Sequence, residues 1–404
     1  MTEFNHDVVI VGGGMVGAAL ACALADEQLR VGIVEHGRVP AMPSGDYALR
    51  VSAISPGSRT ILEAVDAWGH IPKQRICPVE RMKVWDSQGT GVIHFDSAEL
   101  GEPYLAYIVE NDAVQAALWQ RMAASENIKP YCESGIANFE ICDSHVHVEL
   151  NDRTSLMARL IVGADGARSF VRHRMGIAVT RWDYAQQAIV AMIGTDSPEP
   201  HVAWQRFLPT GPLAFLPLSD GRYSIVWSVN GERAQDLLAL DDVAFLGALQ
   251  AAFGDSLGQI NASSPRLAFP LQRSHAEQYV AARVALIGDA AHTVHPLAGQ
   301  GVNLGLLDAA ALAEVLLEAY HRRRDIGELT TLRRYERWRK GDNLAMLVFT
   351  DMLKRLFASS MAPIARARNL GLGLVNAATP LKLVLMRRAA GLAGDLPRLA
   401  RPRH

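Results

Sequence analysis

Residues 7–35 read DVVIVGGGMVGAALACALADEQLRVGIVE. Asp7 to Val11 is a short β-branched run of the kind buried in parallel sheets, and Ala18 to Ala25 carries an apolar helical pattern. Between them stand Gly12, Gly13, Gly14, Met15, Val16 and Gly17. A second strand, Arg30 to Val34, ends at Glu35, about twenty residues on, where an acid accepts from a ribose hydroxyl. Strand, glycine turn, helix and strand in this order predict a dinucleotide-binding unit. Gly12 permits the tight turn, Gly14 lets the backbone approach a pyrophosphate, and Gly17 lets helix pack on strand. The helix N-terminus then offers free N–H groups to the phosphates. At this point NAD and FAD fit equally well.

Two further strands end in glycine turns. Arg159 to Val162 runs into Gly163, Ala164, Asp165 and Gly166, with Arg172 shortly after; by itself, an Asp-Gly turn after a strand is as ordinary as it is functional. Arg283 to Ile287 runs into Gly288 and Asp289. The stretch GDAAHTVHPLAGQGVNLGLLDA, residues 288–309, then sets four glycines, a proline and two histidines ahead of an apolar helical pattern. Three strand-to-glycine junctions spread along the chain read as one ligand touched from three directions.

At 404 residues the chain exceeds one ordinary core, which predicts two or three folding units. Lys and Arg number 40 against 42 Asp and Glu, a net charge of −2, and leave no electrostatic case for a nucleic-acid partner. The opening MTEFNHDVVIVGGG puts an acid where a signal peptide needs basic residues. The longest apolar run, VNLGLLDAAALAEVLLEAY, is broken by Asp308, Glu314 and Glu318, so a cytoplasmic, non-spanning protein is expected. Cys22, Cys77, Cys132 and Cys142 show no C-x-x-C pair or metal spacing and read as reduced thiols. His292 and His295 have no third ligand at suitable spacing, so no metal is expected.

In their order and spacing the three glycine motifs resemble those of the flavoprotein aromatic hydroxylases of the para-hydroxybenzoate hydroxylase fold, over most of the chain. HPLAGQGVNLG at 295–305, closing with Asp308, matches the signature of the ubiquinone-biosynthesis hydroxylases. The segments RVSAIS, VENDAVQAALW, WDYAQQAIVA, FLPLSDGRYSIVWS and LRRYERWRK are similar to the VisC-like 2-polyprenylphenol hydroxylase branch. The resemblance implies an α/β fold. A Rossmann-like FAD-binding domain would be assembled from residues 1–76, 107–178 and 275–331. An antiparallel-sheet substrate domain would take 77–106 and 179–274, and a C-terminal helical region 332–404.

By the same resemblance, Gly12, Gly14, Gly17 and Glu35 hold the ADP half of FAD. Asp165 and Arg172 lie by the pyrophosphate and the path of transient NADPH or NADH, and Gly288 and Asp289 take the ribityl chain. The flavin ring lies against Pro296, Gly299, Gln300, Gly301, Val302 and Asn303, with Arg50 and Asn111 beside it. Arg50 and Pro296 are the residues expected to control the flavin. The implied reaction is that of an NAD(P)H-dependent monooxygenase: O₂ adds to reduced FAD as a C4a-hydroperoxyflavin and one oxygen enters the ring of a polyprenylated phenol in ubiquinone biosynthesis. A FAD-bearing scaffold subunit of a quinone-biosynthesis complex, or a prenyl reductase on the same fold, are the alternatives. Trp182, Tyr184, Phe207, Phe215 and Trp227 are candidate pocket residues, or else ordinary core. The helical, basic chain from Leu332 onward fits a solvated cap, a peripheral contact with the inner membrane, or a contact with partner subunits.

Overall fold

The computed structural model describes residues 4–294, 300–358 and 361–401. Its first layer is a six-stranded sheet with Val8–Val11 near the centre, fully apolar and buried as a strand covered on both faces must be. This strand runs parallel to Val31–Val34 on one side and to Leu160–Gly163 on the other, which in turn pairs in parallel with Val284–Leu286. Ile128–Tyr131 and Val280–Ala281 close the two edges. In register, Val11 lies opposite Gly163, and Gly163 opposite Leu286. Three strands far apart in sequence therefore release their glycine turns at one edge of one sheet. The helices Met15–Ala25, Asn111–Ala123 and Gln300–His321 share a continuous core with this sheet.

A nine-stranded, mainly antiparallel sheet forms the second layer, centred on Val179–Thr195, Tyr223–Asn230, Gly211–Pro217 and Val202–Leu208. Alternation along these strands divides its two faces. Ile189, Ile193, Phe215, Ile225 and Trp227 pack under the helices Gly231–Ala239 and Asp242–Phe253. Met192, Ala203 and the half-buried Leu216 pack instead on a three-stranded sheet formed by Val51–Ile54, Ala106–Glu110 and Ile76–Val79. The small sheet and the loop before it thus lie against the inner face of the large one.

The helix Leu329–Ala358 joins the two layers. Leu332 and Tyr335 enter the first core, and Phe357 stacks on Phe207 of the large sheet, ring centroids 3.8 Å apart. The helices Ala362–Ala377 and Thr379–Ala389 are fastened to the hairpin of Arg81–Asp86 and Val92–Asp96 by polar anchors. Arg368 pairs with Asp86 at 2.6 Å, Asn369 accepts from the Gly91 amide at 2.8 Å, and Lys382 reaches Glu99 at 2.6 Å. No single helix among the described residues is long and apolar enough to cross a membrane; Arg366–Ala377 and Thr379–Ala389, bent by 90°, pass together on length and composition.

Candidate functional site

The four motif glycines at the first turn have different physical reasons. Gly12 sits at φ +102°, and a Cβ there would come 2.4 Å from the Ala164 carbonyl oxygen; one on Gly17 would come 2.0 Å from the Gly12 oxygen. Protein packing fixes both. Gly14 differs, because a Cβ there meets no protein atom within 4 Å. It N-caps Met15–Ala25 with no side-chain cap and no acid in the first turn, so the positive helix end and its free N–H groups face open space. The Gly13 carbonyl accepts from Trp119 Nε1 at 2.7 Å and Gln115 Nε2 at 2.9 Å. Its amide donates to Glu35 Oε2 at 2.7 Å, and Gly37 donates to Oε1 at 2.8 Å. Glu35 is thereby oriented, and each oxygen keeps a lone pair for a further donor.

At the second turn Asp165 Oδ2 accepts from the Val171 amide at 3.2 Å, while Oδ1 is buried with no hydrogen-bond partner. A buried, unsatisfied carboxylate oxygen is costly and marks where a ligand donor belongs. Arg172 is buried and does not reach outward. Nη1 donates to the Ala290 carbonyl and Nη2 to that of Ala167, both at 2.7 Å, so it ties the Asp-Gly turn to the Gly-Asp turn. Burial, then Arg181, lowers its pKa. At the third turn Gly288 has φ +58°. Crowding by protein raises the Asp289 carboxyl above its usual range against the opposing charges of His292 and Arg50, yet its side chain is exposed to solvent. Crowded surroundings with solvent access are those of a cleft floor, and the access is what lets the carboxylate meet a ligand.

Arg50 is held by its backbone: the Asn111 amide donates to its carbonyl at 3.0 Å, and the Ala48 amide to Glu110 Oε1 at 2.6 Å. Glu110 is fully buried and pairs with Arg75 at 2.6 Å. The Arg50 side chain is exposed, its guanidinium 5.4 Å from the centre of the Phe269 ring on the large sheet. Asn111 accepts from Ser52 Oγ at 2.6 Å and so shapes the Arg50 loop. Asn303 accepts from the Ser55 amide at 2.9 Å and donates to the Ala53 carbonyl at 2.8 Å, pinning the start of Gln300–His321 to the small sheet. Val302 is half-buried, and a Cβ on Gly301 meets no protein atom within 4 Å. His295, Pro296 and Gly299 lie outside the described residues; Gln300 begins the helix. His292 bonds to Asp308 at 2.5 Å, and no metal-ready group of three His, Cys, Asp or Glu occurs among the described residues.

The aromatic residues of the second layer divide. Phe215 and Trp227 are on the face covered by Asp242–Phe253, and Phe207 is stacked on Phe357, so these three fill core. The two-residue period turns their neighbours to the other face: Ala214, Leu216 and Val226 are half-buried there with Phe269, facing the Arg50 segment. Trp182 stacks on Arg273 at 3.8 Å, and the Tyr184 hydroxyl donates to Asp351 at 3.1 Å, which brings both to the Leu329–Ala358 helix. Gln115, Trp119 and Glu110 were missed as loop-holding residues, although they stand within the quoted VENDAVQAALW. The uncapped helix end, the unpaired Asp165 oxygen and the exposed Asp289 form a donor and acceptor set that fits an ADP-bearing dinucleotide.

Residues 5–341 match the family model described as FAD binding domain. The chain is similar to the mitochondrial ubiquinone biosynthesis monooxygenase COQ6 of Mus musculus, 39% identical and covering 95% of this chain and 91% of the relative. It is also similar to the 3-demethoxyubiquinol 3-hydroxylase of Escherichia coli (strain K12), 37% identical over 97% of this chain and 100% of the relative. Among solved structures it resembles p-nitrophenol 4-monooxygenase PnpA of Pseudomonas putida DLL-E4 (TM-score 0.79, 19% identity, 97% of this chain and 100% of that one). PqsL of Pseudomonas aeruginosa, a probable FAD-dependent monooxygenase, gives a TM-score of 0.74 at 23% identity over 91% of this chain and 99% of that one. At such identity these two show the fold only.

Proposed function

The chain belongs to the FAD-binding-domain family, and within it to the ubiquinone-biosynthesis hydroxylases; on that premise we propose that it hydroxylates the ring of a polyprenylated phenol with NAD(P)H and O₂. One oxygen atom enters the ring and the other leaves as water. The observation that carries the reading is the register of Val8–Val11, Leu160–Gly163 and Val284–Leu286, which delivers three glycine turns to one sheet edge, where open α/β sheets bind their ligands.

When bound, FAD supplies hydride acceptance from NAD(P)H and activation of O₂ for electrophilic transfer. The rest is done by this chain. The Met15–Ala25 N-terminus and Gly14 would meet the pyrophosphate, Glu35 the adenosine ribose, and Asp165 and Asp289 would accept from hydroxyls or amides of the cofactor. The N-terminal end of Gln300–His321 would favour negative charge on a flavin placed beside it. Arg50, anchored by its backbone and over the Phe269 ring, would stand between cofactor and substrate sheet. Ala214, Leu216, Val226 and Phe269 supply an apolar wall for the phenol and keep water from it. No side chain here is assigned a proton transfer.

The lipid tail suggests a peripheral membrane contact. Leu344, Val348, Met352 and Leu356 recur every four residues on Leu329–Ala358 and are exposed, as are Leu374 and Val384 at 61% and 63%. Between residues 344 and 389 stand seven Lys or Arg and one acid, Asp351. Apolar side chains with exposed Arg355, Arg366, Arg387 and Arg388 favour an anionic lipid surface, and the shared positive charge disfavours a second copy. The function is tested by oxidation of NAD(P)H on addition of a short prenylated phenol: hydroxylated product formed in step with phenol-stimulated oxidation supports it, and stimulation without product rejects it.

A further inference from the structure

Asp308 is fully buried in the Gln300–His321 helix. Its Oδ1 accepts from Arg339 Nε and Asn343 Nδ2, both at 2.9 Å. Its Oδ2 accepts from His292 Nε2 at 2.5 Å and from the Gly288 amide at 3.2 Å. Arg339 by itself neutralises the carboxylate. The remaining two donors do something else: Gly288 and His292 flank Asp289 in the chain, one immediately before it and the other three residues after it.

The turn is also gripped from outside. Arg172 holds the Ala290 carbonyl, and the Ala291 amide donates to Gly288 at 2.9 Å. A Cβ on Gly305 would lie 3.3 Å from the Gly288 Cα, so the helix that carries Asp308 touches the turn directly. These contacts hold the backbone of the turn, while the Asp289 side chain is left outward. His292 carries a further sign: its Nδ1 is buried with no partner. A ring kept for packing alone would gain by being phenylalanine, since an unpaired buried nitrogen is costly.

We infer that Asp308 is a positioning residue: through Gly288 and His292 it fixes the place of the Asp289 carboxylate, to which the FAD reading above assigns a ribityl hydroxyl. Leu329–Ala358 takes part through Arg339 and Asn343, so a helix remote from the glycine motifs in sequence sets the geometry of the third.

The test is a double-mutant cycle read by FAD titration of the FAD-free protein, with fluorescence quenching and no turnover. Asp289→Ala and His292→Phe should each weaken FAD about tenfold, the effect of one hydrogen bond to a charged group. In the double variant the His292 effect should vanish, because it acts through Asp289. Additive effects, or His292→Phe binding FAD within twofold of wild type, would overturn the inference. Asp308→Asn combined with Arg339→Met removes the buried charge pair together and avoids a stranded cation. This pair should unfold cooperatively, as wild type does, yet bind FAD at least tenfold more weakly; undiminished affinity would overturn the inference as well. A wild-type chain that binds no FAD would instead reject the function on which it rests.

Discussion

Gly14→Ala and Gly17→Ala make the same chemical change three residues apart and should have opposite consequences. At Gly14 the backbone is at φ −66°, ψ 178°, open to any residue, and the added methyl meets no protein atom within 4 Å. Loss of a favourable N-cap costs up to roughly 1 kcal/mol, and the stiffer unfolded chain returns about 0.4–1 kcal/mol. The FAD-free protein should therefore unfold within a few degrees of wild type. At Gly17 the methyl would lie 2.0 Å from the Gly12 carbonyl oxygen, a backbone atom that no rotamer change can move. Overpacking of this kind costs about 1–3 kcal/mol or more, a large part of a typical domain's stability. Binding reverses the order of concern. The Gly14 methyl occupies the space a pyrophosphate needs, and losing one hydrogen bond to a charged group, about 1.5–3 kcal/mol, raises the FAD Kd roughly ten- to hundredfold. Thermal unfolding of the FAD-free proteins and fluorescence titration with FAD separate the two effects. Wild-type FAD affinity in Gly14→Ala would show that no ligand approaches this backbone.

Asp308 titrates in a predictable direction: burial raises its carboxyl, but His292, Arg339 and Asn343 override it and hold it at about 2. A depressed carboxylate stabilises the fold above its ordinary value and loses that contribution as pH falls through the folded value. Roughly 2 kcal/mol should therefore disappear between about pH 4 and 2. Urea midpoints across that range should fall more steeply in wild type than in Asp308→Asn with Arg339→Met. Phe215→Ala should cost about 3–5 kcal/mol of stability, whereas Leu216→Ala should mainly raise the KM for a prenylated phenol; steady-state kinetics and denaturation of both variants check the division of the two faces. Leu374→Asp with Val384→Asp should leave the unfolding temperature within a few degrees, since both are exposed, and should abolish co-sedimentation with anionic vesicles; unchanged sedimentation would remove the membrane contact.

The first glycine motif was legible because strand, turn and helix obey local rules: Val8–Val11 and Met15–Ala25 stand where the periodicity puts them. Joining the three turns needed register, which no local pattern contains, and the resemblance to flavin hydroxylases stood in for it. Arg172 shows the limit. The family resemblance sets it by the pyrophosphate, but whether its guanidinium faces a ligand or two carbonyls depends on the Gly288 turn more than a hundred residues away. The second-layer aromatics, open at the sequence level between pocket and core, show a different limit. Alternation in LAFLP and SIVWSV, residues 213–217 and 224–229, separates Phe215 and Trp227 from Leu216 and Val226, but which parity faces inward is set by the covering helices. The Asp308 network draws on Arg339 and Asn343 of a helix read only as basic, so tertiary packing alone could disclose it.

Oxygen transfer to a lipid phenol is read from the hydroxylated product formed under ¹⁸O₂ with NAD(P)H. The substrates run from 4-hydroxybenzoate and an unprenylated phenol to phenols bearing one, two and three isoprene units. Each buried CH₂ contributes about 0.8 kcal/mol at most. kcat/KM should therefore climb by an order of magnitude or more with the first sequestered isoprene unit and level off where the tail leaves the protein, with one ¹⁸O atom in every product ring. A preference for 4-hydroxybenzoate, indifference to the tail, or product without ¹⁸O would contradict the assignment.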